Sequence, residues 1–224
     1  MATPKLSDLQ GPAKNFARLV FLIVIIAIFY VLFNSGKNFL IKNDFVKEKV
    51  DPRATLINGL SFDYKVTRVV DGDTIHIQRL DGEKVEGQSK DMTVRLIGIN
   101  TPETVDPRKP VECFGEEATD YMKDLANRKV AAIKLDPTQQ EFDEYGRLLA
   151  YVFIKNSGIY PNNVVFVNEE MVKNGYAYEY TYITPYEQQK EFKDLENFAK
   201  KNNMGLWSPN TCNGLRTPVA PPQD

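Results

Sequence analysis

The sequence predicts an α+β fold built around a small closed β-barrel, because five short strand patterns come first and helical patterns lie among and after them. The strand patterns are mostly alternating apolar and polar residues bounded by turn residues. They are Tyr64–Val70, Thr74–Gln78, Thr93–Ile97, Val130–Leu135 and Leu148–Ile154. Five short strands fit a small closed barrel.

Three helices are predicted from apolar spacing and from end signals. The first covers Gly115–Asn127, where apolar residues recur at the i, i+3, i+4, i+7 spacing of one helix face. A short second helix covers Asn168–Asn174 and is ended by a glycine. The third runs to about residue 202 and opens with Thr184 as N-cap and Pro185 at the first helical position.

Composition limits the classes of function. The chain has 224 residues, of which 42% are hydrophobic and 26% charged, which suits one globular domain with appendages. The net charge of −2 gives no overall basic footprint of the kind that nucleic-acid binders often carry. A polyanion would therefore depend on local positive charge or on a bound cation. One histidine and two cysteines outside any CxxC pair exclude a His-rich metal site and argue against zinc ribbons and thioredoxin-type chemistry.

The N-terminal region contains an apolar run that is expected to be a membrane anchor. Residues 1–18 form a short polar segment, and no charged residue occurs between Arg18 and Lys37. The intervening segment 19–36 is just long enough for a bilayer, which needs about 20 residues. A cleaved signal peptide and a buried helix are the alternatives, although the residues at 31–36 are bulkier than signal peptidase prefers. We expect a single-pass protein of the cell membrane with its domain outside the cytoplasm, or otherwise a secreted protein; lysines on both sides leave the orientation open.

The rest of the chain divides by composition. Residues 37–60 are a linker, 61–208 the globular domain, and 209–224 a Pro-, Asn- and Thr-rich tail that is expected to be disordered. Cys113 precedes the first helix of the domain and Cys212 follows the last. A disulfide between them would suit an extracytoplasmic domain, and two free thiols are the alternative. We expect a monomer.

Several polar residues beside strands could carry chemistry. The Asp71-Gly72-Asp73 turn offers two carboxylates, which hard cations prefer, although Asp-Gly is also an ordinary hairpin turn. Arg95 lies within an apolar strand, where a guanidinium needs a partner anion. With Arg147 it could bridge phosphate oxygens, while Glu103 takes a proton from an attacking water. A divalent cation would polarise the phosphoryl group, so these parts would suit a phosphodiesterase.

In order and spacing, the chain resembles the staphylococcal nuclease (thermonuclease) family. The matching segments are Val70–Thr74, Val94–Thr104, Phe114–Ala118, Asp143–Arg147, Val167–Glu169 and Gly205–Ser208. The resemblance implies a five-stranded OB-type barrel with three helices. It also implies Ca²⁺-dependent hydrolysis, with DNA, RNA or both as the partner.

Carried over residue by residue, the resemblance implies roles for four residues toward the substrate. Glu103 matches the proposed general base, and Arg95 and Arg147 match the phosphate-binding arginines. Tyr145 matches a tyrosine that lines the nucleotide pocket. A second pocket tyrosine is expected somewhere among Tyr176, Tyr178, Tyr180 and Tyr182.

The implied metal site contains one departure from the family. Asp73 matches a metal-ligand aspartate, and Thr101 matches a position that gives its main-chain carbonyl to the metal. Asn100 stands where the family prototype has a second aspartate; its amide oxygen can coordinate Ca²⁺ but brings no charge. An OB module that binds nucleic acid with weak or no cleavage is therefore one alternative, and a barrel that only docks a protein partner is another. The presence of Asp73 with both arginines and Glu103 favours the enzyme.

Overall fold

The computed structural model describes residues 20–28, 30, 54–82, 91–156 and 163–216. The chain divides into two compact units, Met1–Leu56 and Ile57–Asp224. In the first unit, residues 20–28 and 30 are helical, with exposed apolar side chains such as Phe21. Among the residues that the structure describes, no helix combines the length and the apolar character that crossing a bilayer requires. The rest of the expected anchor at 19–36 and most of the linker lie outside the described residues.

The second unit contains the predicted α+β fold with a closed five-stranded barrel. Its strands are β1 Tyr64–Val69, β2 Thr74–Arg79, β3 Asp91–Leu96, β4 Ile99–Asn100, β5 Val130–Lys134, β6 Leu148–Lys155, β7 Val164–Phe166 and β8 Tyr178–Glu179. The hydrogen-bonded order is β3-β2-β1-β5-β6, and a parallel pairing of β3 with β6 closes the ring. β7 extends the sheet beside β6, and β4 pairs separately with β8.

Strand alternation decides which side chains fill the barrel and which reach the site. In β3, Met92, Val94 and Leu96 are buried in the core. Successive side chains of a strand point to opposite faces, so Arg95 lies on the other face from these residues. The antiparallel register pairs Thr74 of β2 with Arg95, and the parallel register pairs Arg95 with Leu149 of β6. Both the turn before β2 and the turn before β6 therefore end beside Arg95.

The three predicted helices are present as α1 Gly115–Ala126, α2 Val167–Lys173 and α3 Gln189–Lys201, and a 3₁₀ turn follows at Gly205–Trp207. The predicted start of the third helix was wrong, because Thr184 is not its N-cap and Pro185 is not helical. A turn at 136–139 binds this segment instead. Thr138 Oγ1 donates to the Pro185 carbonyl at 3.1 Å, and the Glu187 N–H donates to Asp136 at 2.8 Å.

Cys113 and Cys212 form a disulfide, with 5.9 Å between their Cα atoms and a sequence separation of 99. Within the tail that was expected to be disordered from residue 209 onward, residues 209–214 lie in turns with backbone hydrogen bonds. The bridge buries Cys212, and the Gly214 N–H donates to the Leu206 carbonyl at 2.8 Å. Residues 217–224 lie outside the described residues.

Candidate active site

A buried aspartate joins three parts of the site. Asp73 lies in the turn before β2 and is only 5% exposed. Its Oδ2 accepts hydrogen bonds from the Thr101 N–H at 2.8 Å and the Thr101 hydroxyl at 3.0 Å. Its Oδ1 accepts one from the Thr74 hydroxyl and lies 3.2 Å from Arg95 Nε. Gly72, which precedes Asp73, lies so close to Thr101 that a Cβ at this glycine would be 2.6 Å from the Thr101 methyl carbon.

A second carboxylate stands beside Asp73. Asp71 Oδ1 accepts a hydrogen bond from the Asp73 N–H at 3.0 Å. Burial and the neighbouring charge of Asp73 raise the pKa of Asp71 to about 7, and Arg95 offsets this only in part. A cation bound beside the two carboxyl groups would favour the ionised form of Asp71.

The oxygen atoms around this turn match the chemistry of a hard cation. Asp71 and Asp73 offer carboxyl oxygens, and Thr101 and Asn100 offer neutral carbonyl and amide oxygens, which is the kind of ligand set that Ca²⁺ takes. Asn100 Oδ1 accepts one hydrogen bond from Arg95, and an amide oxygen has a second lone pair. In the described ranges, no cluster of three or more His, Cys, Asp or Glu side chains is arranged to hold a metal. The types of oxygen at the turn, two carboxyl groups with neutral carbonyl and amide oxygens, are nevertheless those that Ca²⁺ binds.

Arg95 is fixed by contacts on several sides. Its Nη1 donates to the carbonyls of Leu96 at 2.9 Å and Ile99 at 2.8 Å. Its Nη2 donates to Asn100 Oδ1 at 3.0 Å, while Nε faces Asp73. A guanidinium has five N–H donors, and these four contacts leave one on Nη2. The side chain is therefore rigid and can still offer a hydrogen bond to an anion.

Glu103 lies in the loop that follows β4, and its own loop holds its carboxylate. Oε1 accepts hydrogen bonds from the backbone N–H groups of Thr104, Val105 and Asp106, at 2.8 to 3.0 Å. Among the described residues, none forms a hydrogen bond with Oε2. One oxygen therefore anchors the side chain and the other can accept a proton.

Arg147 is the second arginine of the site and is fixed by the turn before β6. Its side-chain Nε donates to Asp143 Oδ2 at 2.7 Å, and its backbone N–H donates to Asp143 Oδ1 at 2.9 Å. Gly146 gives this turn a left-handed residue at φ 74°. The salt bridge uses Nε alone, and in the described part of the chain no side chain bonds to the two Nη groups. They can therefore meet an external anion.

Exposed aromatic rings lie beside Arg147 and in the segment that follows β8. Tyr145 is 76% exposed, and its ring centroid lies 5.3 Å from the Arg147 guanidinium carbon. Of the four later tyrosines, Tyr176 stacks on Tyr121 and Tyr178 packs edge-on against Trp207. The two that remain exposed are Tyr180 and Tyr182, with 6.4 Å between ring centroids. These two are the candidates for a second pocket tyrosine.

The structure brings the predicted residues together in two groups. Asp73, Arg95, Asn100 and Thr101 form one hydrogen-bonded cluster, with Glu103 in the adjoining loop. Arg147 and Tyr145 form the second group. They lie in the turn that leads into β6, and β6 pairs with β3, the strand of Arg95. The sequence analysis considered Asp71 only as one of two carboxylates in a possible cation-binding turn, and it assigned no role to Asp143. The signals were an Asp-Gly-Asp turn and an acidic residue four positions before an arginine, but each pattern is common in surface turns.

Comparison with known proteins adds the following. The model of the staphylococcal nuclease homologue family matches residues 93–209. The thermonuclease of Staphylococcus hyicus is 38% identical over 156 residues, which are 69% of this chain and 81% of that protein. The thermonuclease of Staphylococcus intermedius is 34% identical over 145 residues, or 64% of this chain and 75% of that protein. Endonuclease YncB of Bacillus subtilis (strain 168) is 35% identical over 144 residues, or 63% of this chain and 59% of that protein.

Proposed function

This chain belongs to the staphylococcal nuclease family, and we propose that it hydrolyses phosphodiester bonds in DNA, RNA or both. The observation that carries the proposal is a shared arrangement of two arginines. Arg95 and Arg147 each face an aspartate through Nε, at 3.2 Å and 2.7 Å, and among the described residues the contacts of each leave at least one Nη hydrogen without a partner. Such arginines are oriented before an anion arrives, and Glu103 stands in the loop beside one of them.

The arginines would bind the scissile phosphate and meet the negative charge that develops on it. Guanidinium groups form strong, directed hydrogen bonds with phosphate oxygens. Their effect on the rate is largest when they do not have to reorganise during the reaction. The contacts of Arg95 with the carbonyls of Leu96 and Ile99 supply that rigidity.

Glu103 would act as the general base that takes a proton from the attacking water. A base must hold an oxygen in a fixed place with a free lone pair. The three N–H groups on Oε1 fix the carboxylate, and Oε2 is the oxygen that would accept the proton. No nucleophilic side chain is required in this scheme.

We also propose that the reaction depends on Ca²⁺. Asp73, Thr101 and Asn100 would hold the ion, and the charge of Asp71 would add to its attraction. A bound cation supplies polarisation of the phosphoryl oxygen. The geometry supports this proposal: Asp71 Oδ1 accepts from the Asp73 N–H, and Asp73 Oδ2 accepts from Thr101, so two carboxyl groups and the neutral oxygens of residue 101 are held at one turn.

The test is cleavage of supercoiled plasmid DNA and of a single-stranded RNA by the purified full-length chain in detergent. Both substrates are incubated with Ca²⁺ and with a chelator in parallel. We expect cleavage with Ca²⁺ and none with the chelator. Equal cleavage in chelator would refute the metal dependence and leave the hydrolysis intact.

A second candidate function is a nucleic-acid-binding module with little cleavage. Its support is the engagement of Asn100 Oδ1 with Arg95, which leaves the proposed metal site with a neutral, already bonded ligand. A gel-shift assay on the same samples distinguishes the two candidates. Binding without cleavage at any Ca²⁺ concentration would favour the module over the nuclease.

For localisation we propose a single-pass membrane protein whose barrel lies outside the cytoplasm. The uncharged run between Arg18 and Lys37 and the exposed apolar side chains within 20–28 support an anchor. The disulfide supports an oxidising compartment. The expressed chain should stay with membranes in high salt, and protease added to spheroplasts should remove the barrel. A soluble product that begins near residue 37 would instead establish secretion.

A further inference from the structure

The loop that carries Glu103 is closed by a reciprocal pair of hydrogen bonds. The Glu103 N–H donates to Glu112 Oε2 at 3.0 Å, and the Glu112 N–H donates to the Glu103 carbonyl at 2.8 Å. Glu112 therefore holds the backbone of Glu103 from both sides. Because the carboxylate of Glu103 is itself bound by N–H groups of this loop, the shape of the loop decides where its free oxygen lies.

The start of α1 packs tightly under the same backbone. Gly115 begins the helix, and a Cβ there would lie 3.2 Å from the carbonyl oxygens of Pro102 and Glu103. It would lie still closer, at 2.5 Å, to the Thr104 methyl carbon. The Gly115 N–H in turn donates to the Glu112 carbonyl at 3.1 Å. Glu112 thus connects the rigid helix to the loop of Glu103.

The C-terminal turns hold Glu112 from the other side. Arg216 Nη1 lies 3.4 Å from Glu112 Oε2, and the Arg216 guanidinium carbon lies 4.1 Å from the centroid of the Tyr178 ring. Tyr178 belongs to β8 and pairs in register with Asn100 of β4. The residue next to Glu112 is Cys113, which the disulfide joins to the same C-terminal segment.

From these contacts we propose that Glu112 is a positioning residue for Glu103, and that the disulfide and the C-terminal turns fix Glu112 for that role. The inference rests on the proposed hydrolysis, in which Glu103 is the general base. Glu112 does not touch the reacting atoms. It acts by keeping the Glu103 backbone, and with it the free Oε2, in one place.

The disulfide matters because the remaining link is weak. Without it, the contact among the described residues that would still join the C-terminal segment to Glu112 directly is the ion pair with Arg216, whose side chain is 36% exposed. A partly exposed ion pair contributes little net stabilisation, because water solvates both charged groups almost as well when they are apart. Reduction should therefore loosen the Glu103 loop, and displacement of a catalytic group by about 1 Å is enough to lower a rate by as much as 10²-fold.

The test compares Glu112→Ala with Glu112→Gln in the full-length chain, using Glu116→Ala as the matched control. Gln keeps an oxygen that can accept from the Glu103 N–H, whereas Ala removes it. Glu116 is an exposed glutamate on α1 outside the site. We measure kcat and KM for DNA cleavage, amide hydrogen exchange at Glu103, and thermal unfolding.

We expect Glu112→Ala to lower kcat about tenfold with little change in KM, a pattern of lost transition-state stabilisation. The Glu103 amide should exchange faster in this variant, and Glu112→Gln and Glu116→Ala should stay near wild type in both measurements. Reduction of the wild type, or a Cys113→Ser/Cys212→Ser double variant, should reproduce part of the loss. If that double variant does not fold, the Glu112 variants decide the matter.

The decisive arm repeats Glu112→Ala in a Glu103→Ala background, with enough enzyme to measure the residual rate. A residue that acts only through Glu103 should cause no further loss there. An equal loss in both backgrounds would overturn the proposal, and so would an unchanged exchange rate at the Glu103 amide. If the wild type cleaves nothing, the proposed function fails, and the hydrogen-exchange comparison still tests the positioning.

Discussion

Asn100 Oδ1 accepts a hydrogen bond from Arg95 Nη2, with 3.0 Å between the two atoms. This asparagine stands where the family prototype has a carboxylate that binds metal. In this chain the amide orients an arginine that is proposed to bind phosphate, and it leaves the proposed metal site with one negative charge fewer than an aspartate would give. The same substitution thus connects cation affinity with the position of Arg95.

The first prediction concerns calcium affinity. Asn100→Asp should tighten Ca²⁺ binding about tenfold, or about 1.4 kcal/mol, because ligand charge is a main control of Ca²⁺ affinity. Asn100→Ala is the control, since it removes the acceptor for Arg95 without adding charge. Calcium titration of activity and calorimetric Ca²⁺ binding at fixed pH measure the effect. The same half-saturating Ca²⁺ in Asn100→Asp and wild type would mean that residue 100 is not a ligand or that its charge is immaterial.

The second prediction concerns the arginine that follows the Asp143 turn. Asp143→Asn keeps an oxygen for the turn N–H groups but removes the ionic contact with Arg147 Nε. Hydrogen bonds to charged groups are worth about 1.5–3 kcal/mol, so kcat/KM should fall roughly tenfold or more. Glu144→Gln makes the same chemical change one residue later, at an exposed side chain, and should have no effect. Equal kcat/KM in the two variants would exclude an orienting role for Asp143.

The third prediction concerns stability and pH. Burial alone would raise the pKa of Asp136, but hydrogen bonds from Tyr151, Thr138 and the Glu187 N–H outweigh it, so the pKa lies below its ordinary value of 3.8. A lowered carboxyl pKa gives stability that is fully present above about pH 4 and is lost as the pH falls through the folded-state pKa.

Asp136→Asn should therefore destabilise the fold at neutral pH, by roughly 1.5–3 kcal/mol, the size of a hydrogen bond to a charged group. The difference in unfolding free energy from wild type should shrink as the pH is lowered below about 4. Urea unfolding at several pH values measures it. A difference that stays constant down to the most acid pH at which the chain folds would assign the effect to packing rather than to charge.

Local patterns predicted most of the barrel, and long-range contacts account for what they missed. The five strands have periodicity that is visible in the sequence, whereas β4 and β8 have two residues each and no measurable period. Thr184-Pro185 has the side chains that are typical of a helix start, but the last helix does not begin there. The backbone of this segment is bound instead by Thr138 and Asp136, more than forty residues earlier in the chain.

The site shows the same division. Spacing and resemblance pointed to Asp73, Arg95, Glu103 and Arg147, and the structure places these residues around adjoining turns and strands. The partners that fix them were not predicted, because Asn100 reaches Arg95 and Glu112 reaches Glu103 only through the local fold. The disulfide could not be decided from sequence either, because the two cysteines have a sequence separation of 99.

The proposed hydrolysis depends most on Glu103, and its removal is the most direct test. The measurement is the initial rate of DNA cleavage at saturating Ca²⁺ for wild type and Glu103→Gln, with Glu116→Gln as control and with DNA binding and thermal unfolding recorded for each. Loss of a general base should lower the rate by roughly 10²–10⁴ while DNA binding and stability stay near wild type. A Glu103→Gln rate within twofold of wild type would contradict the assignment of Glu103 as the base, and with it the proposed mechanism.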